Sequence, residues 1–185
     1  GNHFIHAIRR NIDITVIVHN NQVYALTKGQ ASPTSDLGYV TKVQAHGVID
    51  APVHPLTLAI ALDAGFVARS FAGDKEHLSS MIQEGIQHKG FSLIDTLQWC
   101  VTFNKKNNFA WYKQRAYKLG PEYDPHDKVR AFEKSLEWGD KIPIGIIYKN
   151  GRPSYEEACG LLKGPALVEQ EIAPKKIDSI FPEFV

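Results

Sequence analysis

The densest polar stretch of the chain opens on a pair of asparagines, Asn20-Asn21-Gln22-Val23-Tyr24, and continues through Ala25-Leu26-Thr27-Lys28-Gly29-Gln30-Ala31-Ser32-Pro33-Thr34-Ser35. Amide and backbone carbonyl oxygens are hard donors. Magnesium takes such oxygens in octahedral geometry, and one Asn side chain plus one backbone carbonyl of the same turn can supply two of them. Paired asparagines also make plain turns, which spacing alone favours. A second candidate is Cys100 in Leu97-Gln98-Trp99-Cys100-Val101-Thr102-Phe103-Asn104. A lone Cys beside Trp and Val is ordinarily a small buried hydrophobe. A thiolate at a strand end is also a soft ligand suited to an iron-sulfur cluster. His3 and His6 lie three apart, but no third ligand is near them in sequence, so they define no metal site.

The elements around these residues alternate. Ile12-Asp13-Ile14-Thr15-Val16-Ile17-Val18 reads as a strand covered on both faces, ending at His19-Asn20-Asn21. Pro55 opens a helix through Leu56, Ala59, Ile60 and Ala64, and Gly65 then leads into Phe66-Val67-Ala68. Asp74 is placed to cap a helix with Leu78, Met81, Ile82 and Ile86 inward, and Gly90 precedes the strand-like Phe91-Ser92-Leu93-Ile94. A helix over 127–137, with Val129, Phe132 and Leu136 inward, is followed by the buried run Pro143-Ile144-Gly145-Ile146-Ile147-Tyr148. The pattern predicts an α/β fold, a parallel sheet with helices on both faces. Such sheets bind ligands beyond the carboxyl ends of their strands, where both candidate segments fall. After Asn150 a tail is expected, with Tyr155, Ala158, Cys159 and Leu162 on one helical face and Pro174 and Pro182 discouraging longer elements.

Composition narrows the classes of function. Lys plus Arg total 21 and Asp plus Glu 20, a net charge of +1, too small for a nucleic-acid footprint or a polybasic membrane anchor. No apolar run approaches the ~20 residues that cross a bilayer. Cys100 and Cys159 are the 2 cysteines, too few for a disulfide scaffold, and a cytoplasmic setting is expected. Residues 105–118 carry Lys105, Lys106, Lys113, Arg115 and Lys118 with no acid, interleaved with Phe109, Trp111, Tyr112 and Tyr117; an amphipathic segment packed on the domain or on a partner is expected. Residue 1 is Gly rather than Met, and the chain reads as starting inside a longer one.

Several motifs occurring in order carry a resemblance over roughly positions 1–150. They are Gly1-Asn2-His3-Phe4-Ile5-His6-Ala7-Ile8-Arg9-Arg10-Asn11, Asn20-Asn21-Gln22-Val23-Tyr24, Leu26-Thr27-Lys28-Gly29-Gln30-Ala31-Ser32-Pro33-Thr34, Cys100-Val101-Thr102-Phe103-Asn104 and Leu136-Glu137-Trp138-Gly139-Asp140-Lys141-Ile142-Pro143-Ile144-Gly145. Together they resemble the beta subunit of 2-oxoacid:ferredoxin oxidoreductases. The resemblance implies a thiamine diphosphate-binding domain over 1–150, with a tail over 151–185 packed on the domain or on a partner subunit. It implies thiamine diphosphate held through Mg2+, with Asn21 giving its side-chain oxygen and Val23 its backbone carbonyl. It also implies a 4Fe-4S cluster whose fourth thiolate is Cys100. The family's Gly-Asp-Gly motif is not present here and would lie upstream of Gly1, as would three further Cys, so the chain reads as truncated and inactive alone. Cys159 matches no motif and is expected in the core.

Lys28 matches a place where pyruvate-type members tend to carry Gly, and members using 2-oxoglutarate or a range of 2-oxoacids tend to carry Lys. It is either a contact to a distal substrate carboxylate or a solvated lysine. The implied reaction is oxidative decarboxylation of a 2-oxoacid with coenzyme A, giving acyl-CoA, carbon dioxide and reduced ferredoxin, with an alpha subunit as partner and no role for nucleic acid or membrane. Two rivals remain open: a non-oxidative thiamine diphosphate-dependent decarboxylase or synthase, which has no use for Cys100, and a non-catalytic interaction subunit.

Overall fold

The computed structural model describes residues 1–160, 163–169 and 182. In chain order the elements are α1 (Asn2–Arg10), β1 (Thr15–Asn20), β2 (Val23–Tyr24), β3 (Gln30–Ala31), α2 (Pro55–Ala61), β4 (Phe66–Phe71), α3 (Lys75–Gln87), β5 (Ser92–Leu97), α4 (Phe109–Arg115), β6 (Ala116–Lys118), α5 (Lys128–Leu136), β7 (Ile142–Lys149) and α6 (Tyr155–Ala158). Five strands form one sheet in the order β1-β5-β4-β7-β6, and β2 and β3 form a separate antiparallel hairpin. No helix among the described residues is long and apolar enough to cross a membrane.

The sheet is mainly parallel, but not throughout. β1, β5 and β4 run together, whereas β7 lies antiparallel to β4. The reason is β6, a three-residue strand that the sequence pattern does not reveal. The α5 crossover joins β6 to β7 in parallel, as such a connection must, and β6 already runs opposite to β4.

Alternation along the strands divides the core into two layers. Val67 and Leu93 face α1, α2 and α5 in a cluster with Ile8, Leu56, Ile60, Ala131 and Ile147. Phe66, Ala68 and Ile94 face the opposite side with Met81 of α3. Asp74 caps α3 as expected, its Oδ1 accepting from the His77 N–H at 3.1 Å. A third cluster, Phe71, Leu97, Tyr112, Ile142 and Ile144, seats α4 at the carboxyl end of β4 and β5, flanked by Trp99, Trp111 and Trp138. The basic, aromatic segment 105–118 is thus packed on the domain.

Some inward assignments are corrected. β1 is an edge strand rather than one covered on both faces, and Ile17 is 38% exposed. In α5 the buried residues are Ala131 and Ser135, while Val129, Phe132 and Leu136 are exposed. Small residues let α5 approach α2 closely, with the Thr57 and Ser135 hydroxyls 2.8 Å apart, and that close approach turns the larger side chains outward. Ile86 of α3 likewise faces solvent. Cys159, expected in the core, is exposed just after α6, a single turn too short to bury it. Leu162 and Pro174 lie outside the described residues.

One charged pair is buried in the sheet itself. Arg69 and Asp95 stand opposite each other on β4 and β5, with Nε 3.6 Å from Oδ2 and side chains 4% and 1% exposed. Burial pulls the guanidinium pKa down and pushes the carboxyl pKa up, and each partner's charge opposes that shift in the other. Arg69 also donates to the Ser135 carbonyl at 3.3 Å and lies 5.7 Å from the Trp138 ring centroid. Removing one partner strands the other charge in the interior. Asp95→Ala is therefore expected to cost about 3–5 kcal/mol, read as a lower midpoint in chemical unfolding, with Arg69→Met/Asp95→Leu recovering most of the loss; a double variant no better than the single one would contradict this.

Candidate functional site

The site is built on the carboxyl edge of β1 and β5. These strands are parallel and in register, with Asn20 opposite Leu97, so the chain leaves both at one level and the Asn21 loop and the Cys100 turn stand side by side. The Gln98 N–H donates to the Asn20 carbonyl at 3.1 Å, and His19 Nδ1 lies 2.7 Å from Gln98 Oε1. Beyond the strands, Asn104 Nδ2 donates to the Asn21 carbonyl at 3.3 Å.

Asn21 Oδ1 accepts the Val23 N–H at 3.1 Å, closing an Asx turn. The oxygen keeps a second lone pair for a hard cation. Asn21 and Val23 both line a cavity of about 990 Å³ whose wall includes Phe4, Val18, His19 and Leu58 and, among the described residues, contains no Asp or Glu. That volume is at the upper end of what small-molecule and cofactor sites use, roughly 300–1,000 Å³. A wall free of carboxylates suits a doubly anionic diphosphate. The two donors fit a magnesium-bound diphosphate as part of a set, the cofactor and other groups completing the octahedron.

Cys100 is a free thiol, 8% exposed, at the start of the turn after β5. Burial raises its pKa, but the N–H groups of Phe103, Asn104 and Thr102 and the charge of Lys105 outweigh burial, so the thiol titrates below its ordinary value. The Phe103 N–H is 3.4 Å from the sulfur. A sulfur receiving several backbone N–H groups is prepared for the charge of a metal-bound thiolate, which fits a cluster ligand. Among the described residues no group of three His, Cys, Asp or Glu side chains is placed to hold a metal, so Cys100 belongs to no such group here.

Lys28 sits in the turn between β2 and β3, exposed, with the left-handed φ of 78° that is unfavourable for a residue carrying a Cβ. Ala25, Leu26 and Thr27 line the 990 Å³ cavity, and Lys28, the next residue in the chain, does not. The next residue, Gly29, also has positive φ, at 92°, and a Cβ there would stand 2.6 Å from the Phe103 ring. The hairpin therefore packs directly on the Cys100 turn. His3 and His6 are exposed on α1 and join no metal-binding cluster among the described residues.

Several site residues show no sign in the sequence of the role they share. Gln22, Asp36, Asn104, Asn107 and Tyr112 form a buried polar network beneath the Asn21 loop. Gln22 and Asn104 lie inside motifs quoted above and Tyr112 inside the basic aromatic segment, but nothing local joins them into one network, and Asp36 and Asn107 carry no local signal at all.

The family models fit this geometry. Residues 1–96 match the thiamine pyrophosphate enzyme family's C-terminal TPP-binding domain, which sets the class as thiamine enzymes. Residues 100–164, with the Cys100 turn at their start, match the C-terminal model of the pyruvate ferredoxin oxidoreductase beta subunit. A "2-oxoacid:ferredoxin oxidoreductase subunit beta" from Sulfolobus sp is 50% identical over 167 residues, covering 84% of this chain and 55% of that protein. The protein of the same name from Saccharolobus solfataricus is 48% identical over 187 residues, covering 95% and 61%. A solved 2-oxoglutarate:ferredoxin oxidoreductase from Magnetococcus marinus, with 2-oxoglutarate, coenzyme A and succinyl-CoA bound, superposes with a TM-score of 0.87 at 28% identity, covering 97% of this chain and 61% of that one. The chain belongs to the beta-subunit family of the 2-oxoacid:ferredoxin oxidoreductases. It spans between 55% and 61% of the length of these relatives.

Because Lys28 holds a left-handed conformation in an exposed turn, Lys28→Gly is expected to leave the unfolding midpoint unchanged or to raise stability by up to about 1 kcal/mol. A lower midpoint would show that the lysine side chain has a structural role.

Proposed function

We propose that this chain is the thiamine diphosphate-holding part of a beta subunit that works with an alpha subunit in the oxidative decarboxylation of a 2-oxoacid with coenzyme A, yielding acyl-CoA, carbon dioxide and reduced ferredoxin. The observation that carries this reading is the adjacency of the Asn21 loop and the Cys100 turn on one sheet edge, joined through Asn104. A non-oxidative thiamine enzyme has no need of a thiolate cradled by N–H groups at that place, and a purely interacting subunit has no need of either loop.

Bound thiamine diphosphate supplies the stabilisation of the carbanion left when a 2-oxoacid loses carbon dioxide. The chain's own residues position that chemistry. Asn21 Oδ1 and the Val23 carbonyl would hold Mg2+, and the cavity, with no Asp or Glu among its described lining residues, would receive the diphosphate without repelling it. Cys100 would give one thiolate to a 4Fe-4S cluster, which would supply one-electron transfer toward ferredoxin. The N–H groups of Thr102, Phe103 and Asn104 favour the charged sulfur. Lys28, adjacent in the chain to the cavity-lining Thr27, meets the distal carboxylate of a dicarboxylic substrate; the bound 2-oxoglutarate of the Magnetococcus marinus enzyme supports that choice over pyruvate.

Two outcomes test this. In the complete subunit assembled with its partner, Cys100→Ala is expected to lose cluster iron and ferredoxin reduction while still binding thiamine diphosphate, since the magnesium ligands lie on another loop. Undiminished iron, sulfide and ferredoxin-linked turnover would return Cys100 to the core. Lys28→Gly is expected to lower kcat/KM for 2-oxoglutarate by about 10- to 100-fold, the equivalent of a charged hydrogen bond worth ~1.5–3 kcal/mol, with little change for pyruvate. Equal losses for both substrates would rule out a carboxylate contact.

A further inference from the structure

Gln22 stands between the two proposed cation ligands with φ 57°, a left-handed backbone at a residue that carries a Cβ, and it is 3% exposed. A conformation of this kind persists only where its surroundings enforce it. Here the side chain does the enforcing. Nε2 donates to the Thr34 carbonyl at 2.9 Å and to Asp36 Oδ1 at 3.0 Å, and Oε1 accepts from Asn107 Nδ2 at 2.6 Å and from the Tyr112 hydroxyl at 2.9 Å. All the hydrogen-bonding positions of the amide are filled. Its orientation follows from chemistry, because an Asp36 carboxylate can only accept and therefore faces the NH2 group. Asp36 is held in turn by Asn107 Nδ2 at 2.8 Å and Trp138 Nε1 at 3.3 Å. Burial first, and then Asp36, push the Tyr112 pKa far above its ordinary value, so the hydroxyl stays a donor. On the main chain, the Ser35 hydroxyl donates to the Gln22 carbonyl at 2.5 Å.

We infer that Gln22 is a positioning residue of the cation loop: its buried amide, clamped by Asp36, Asn107 and Tyr112, holds the left-handed turn that brings Asn21 and Val23 into one cavity. A glutamine that merely filled a polar gap in the core would not need its backbone in this conformation, nor would it sit between the two ligands. The inference rests on the proposed assignment of Asn21 and Val23 to the cation, and the test separates the two.

The test uses the assembled heteromer, stripped of metal, with Mn2+ titrated in the presence of thiamine diphosphate and followed by the loss of free Mn2+ signal in electron paramagnetic resonance. Thermal midpoints are recorded in parallel, and titrations are run well below them. Gln22→Gly accepts the positive φ but removes the clamp, and it is expected to weaken Mn2+ binding by about tenfold or more. Tyr112→Phe removes one of the four bonds and is expected to weaken binding by about two- to threefold. Gln22→Gly with Mn2+ affinity within about twofold of wild type, whatever its thermal midpoint, would overturn the positioning role. Should Gln22→Gly fail to assemble, Tyr112→Phe decides, and unchanged affinity there overturns the proposal. Asn21→Ala is the control on the underlying assignment. If it too leaves Mn2+ affinity unchanged, the cation site itself is misplaced; if it weakens binding and Gln22→Gly does not, only the positioning role falls.

Discussion

The parallel pairing of β1 with β5 is the constraint on which the site depends. Hydrogen bonding in register makes the two strands end together, Asn20 beside Leu97, so the loop with the oxygen donors and the turn with the thiol emerge from one edge. Were β5 reversed, its six residues, each rising about 3.3 Å, would carry the Cys100 turn roughly 20 Å away to the other edge. Contacts above the sheet then refine what the register sets. Gln98 bonds back to Asn20, Asn104 bonds back to Asn21, and the Phe103 ring lies so close to Gly29 that no side chain fits there.

This edge is also where the interior turns polar. The apolar cluster under α1, α2 and α5 gives way, toward the carboxyl ends of the strands, to the buried polar residues Arg69, Asp95, Gln22, Asn104 and Asn107. Groups of this kind are costly in the interior unless partnered, and a connected network fixes one arrangement where an apolar core would tolerate several. The gain is rigidity at the place where two loops of little regular structure must present ligands. The strained backbone of Gln22 and Lys28 falls in the same region, as expected where surrounding structure over-determines local conformation.

The sequence made some of this legible and concealed the rest for identifiable reasons. The run before Asn20, the Asp74 cap and the strands after Gly65 and Gly90 follow from propensity and periodicity; the Asn20-Asn21 loop and the Cys100 segment draw notice because each follows a strand, while the expectation that Asn21, Val23 and Cys100 are ligands comes from the family resemblance. The direction of β7 was hidden by β6, which at three residues is too short for any pattern to register. The orientation of α5 was hidden because helical spacing identifies an apolar stripe and not the packing distance; close contact with α2 selected Ala131 and Ser135. The clamp on Gln22 draws on segments up to 90 residues away in sequence, a separation that local composition cannot encode.

The shortness of α6 has a consequence of another kind. Asn11 accepts the Tyr155 N–H at its carbonyl, and its side chain bonds to Phe91 N, which seats α6 at the amino ends of the strands, across the sheet from the Asn21 loop. Cys159 follows that single turn, exposed, while the other thiol is nearly enclosed. The two sulfurs are therefore chemically separable by access. A maleimide dye, a spin label or a tether to an electrode would attach at Cys159 and leave the cofactor-facing edge unencumbered, so the chain carries its own selective handle for spectroscopic distance measurements or immobilisation.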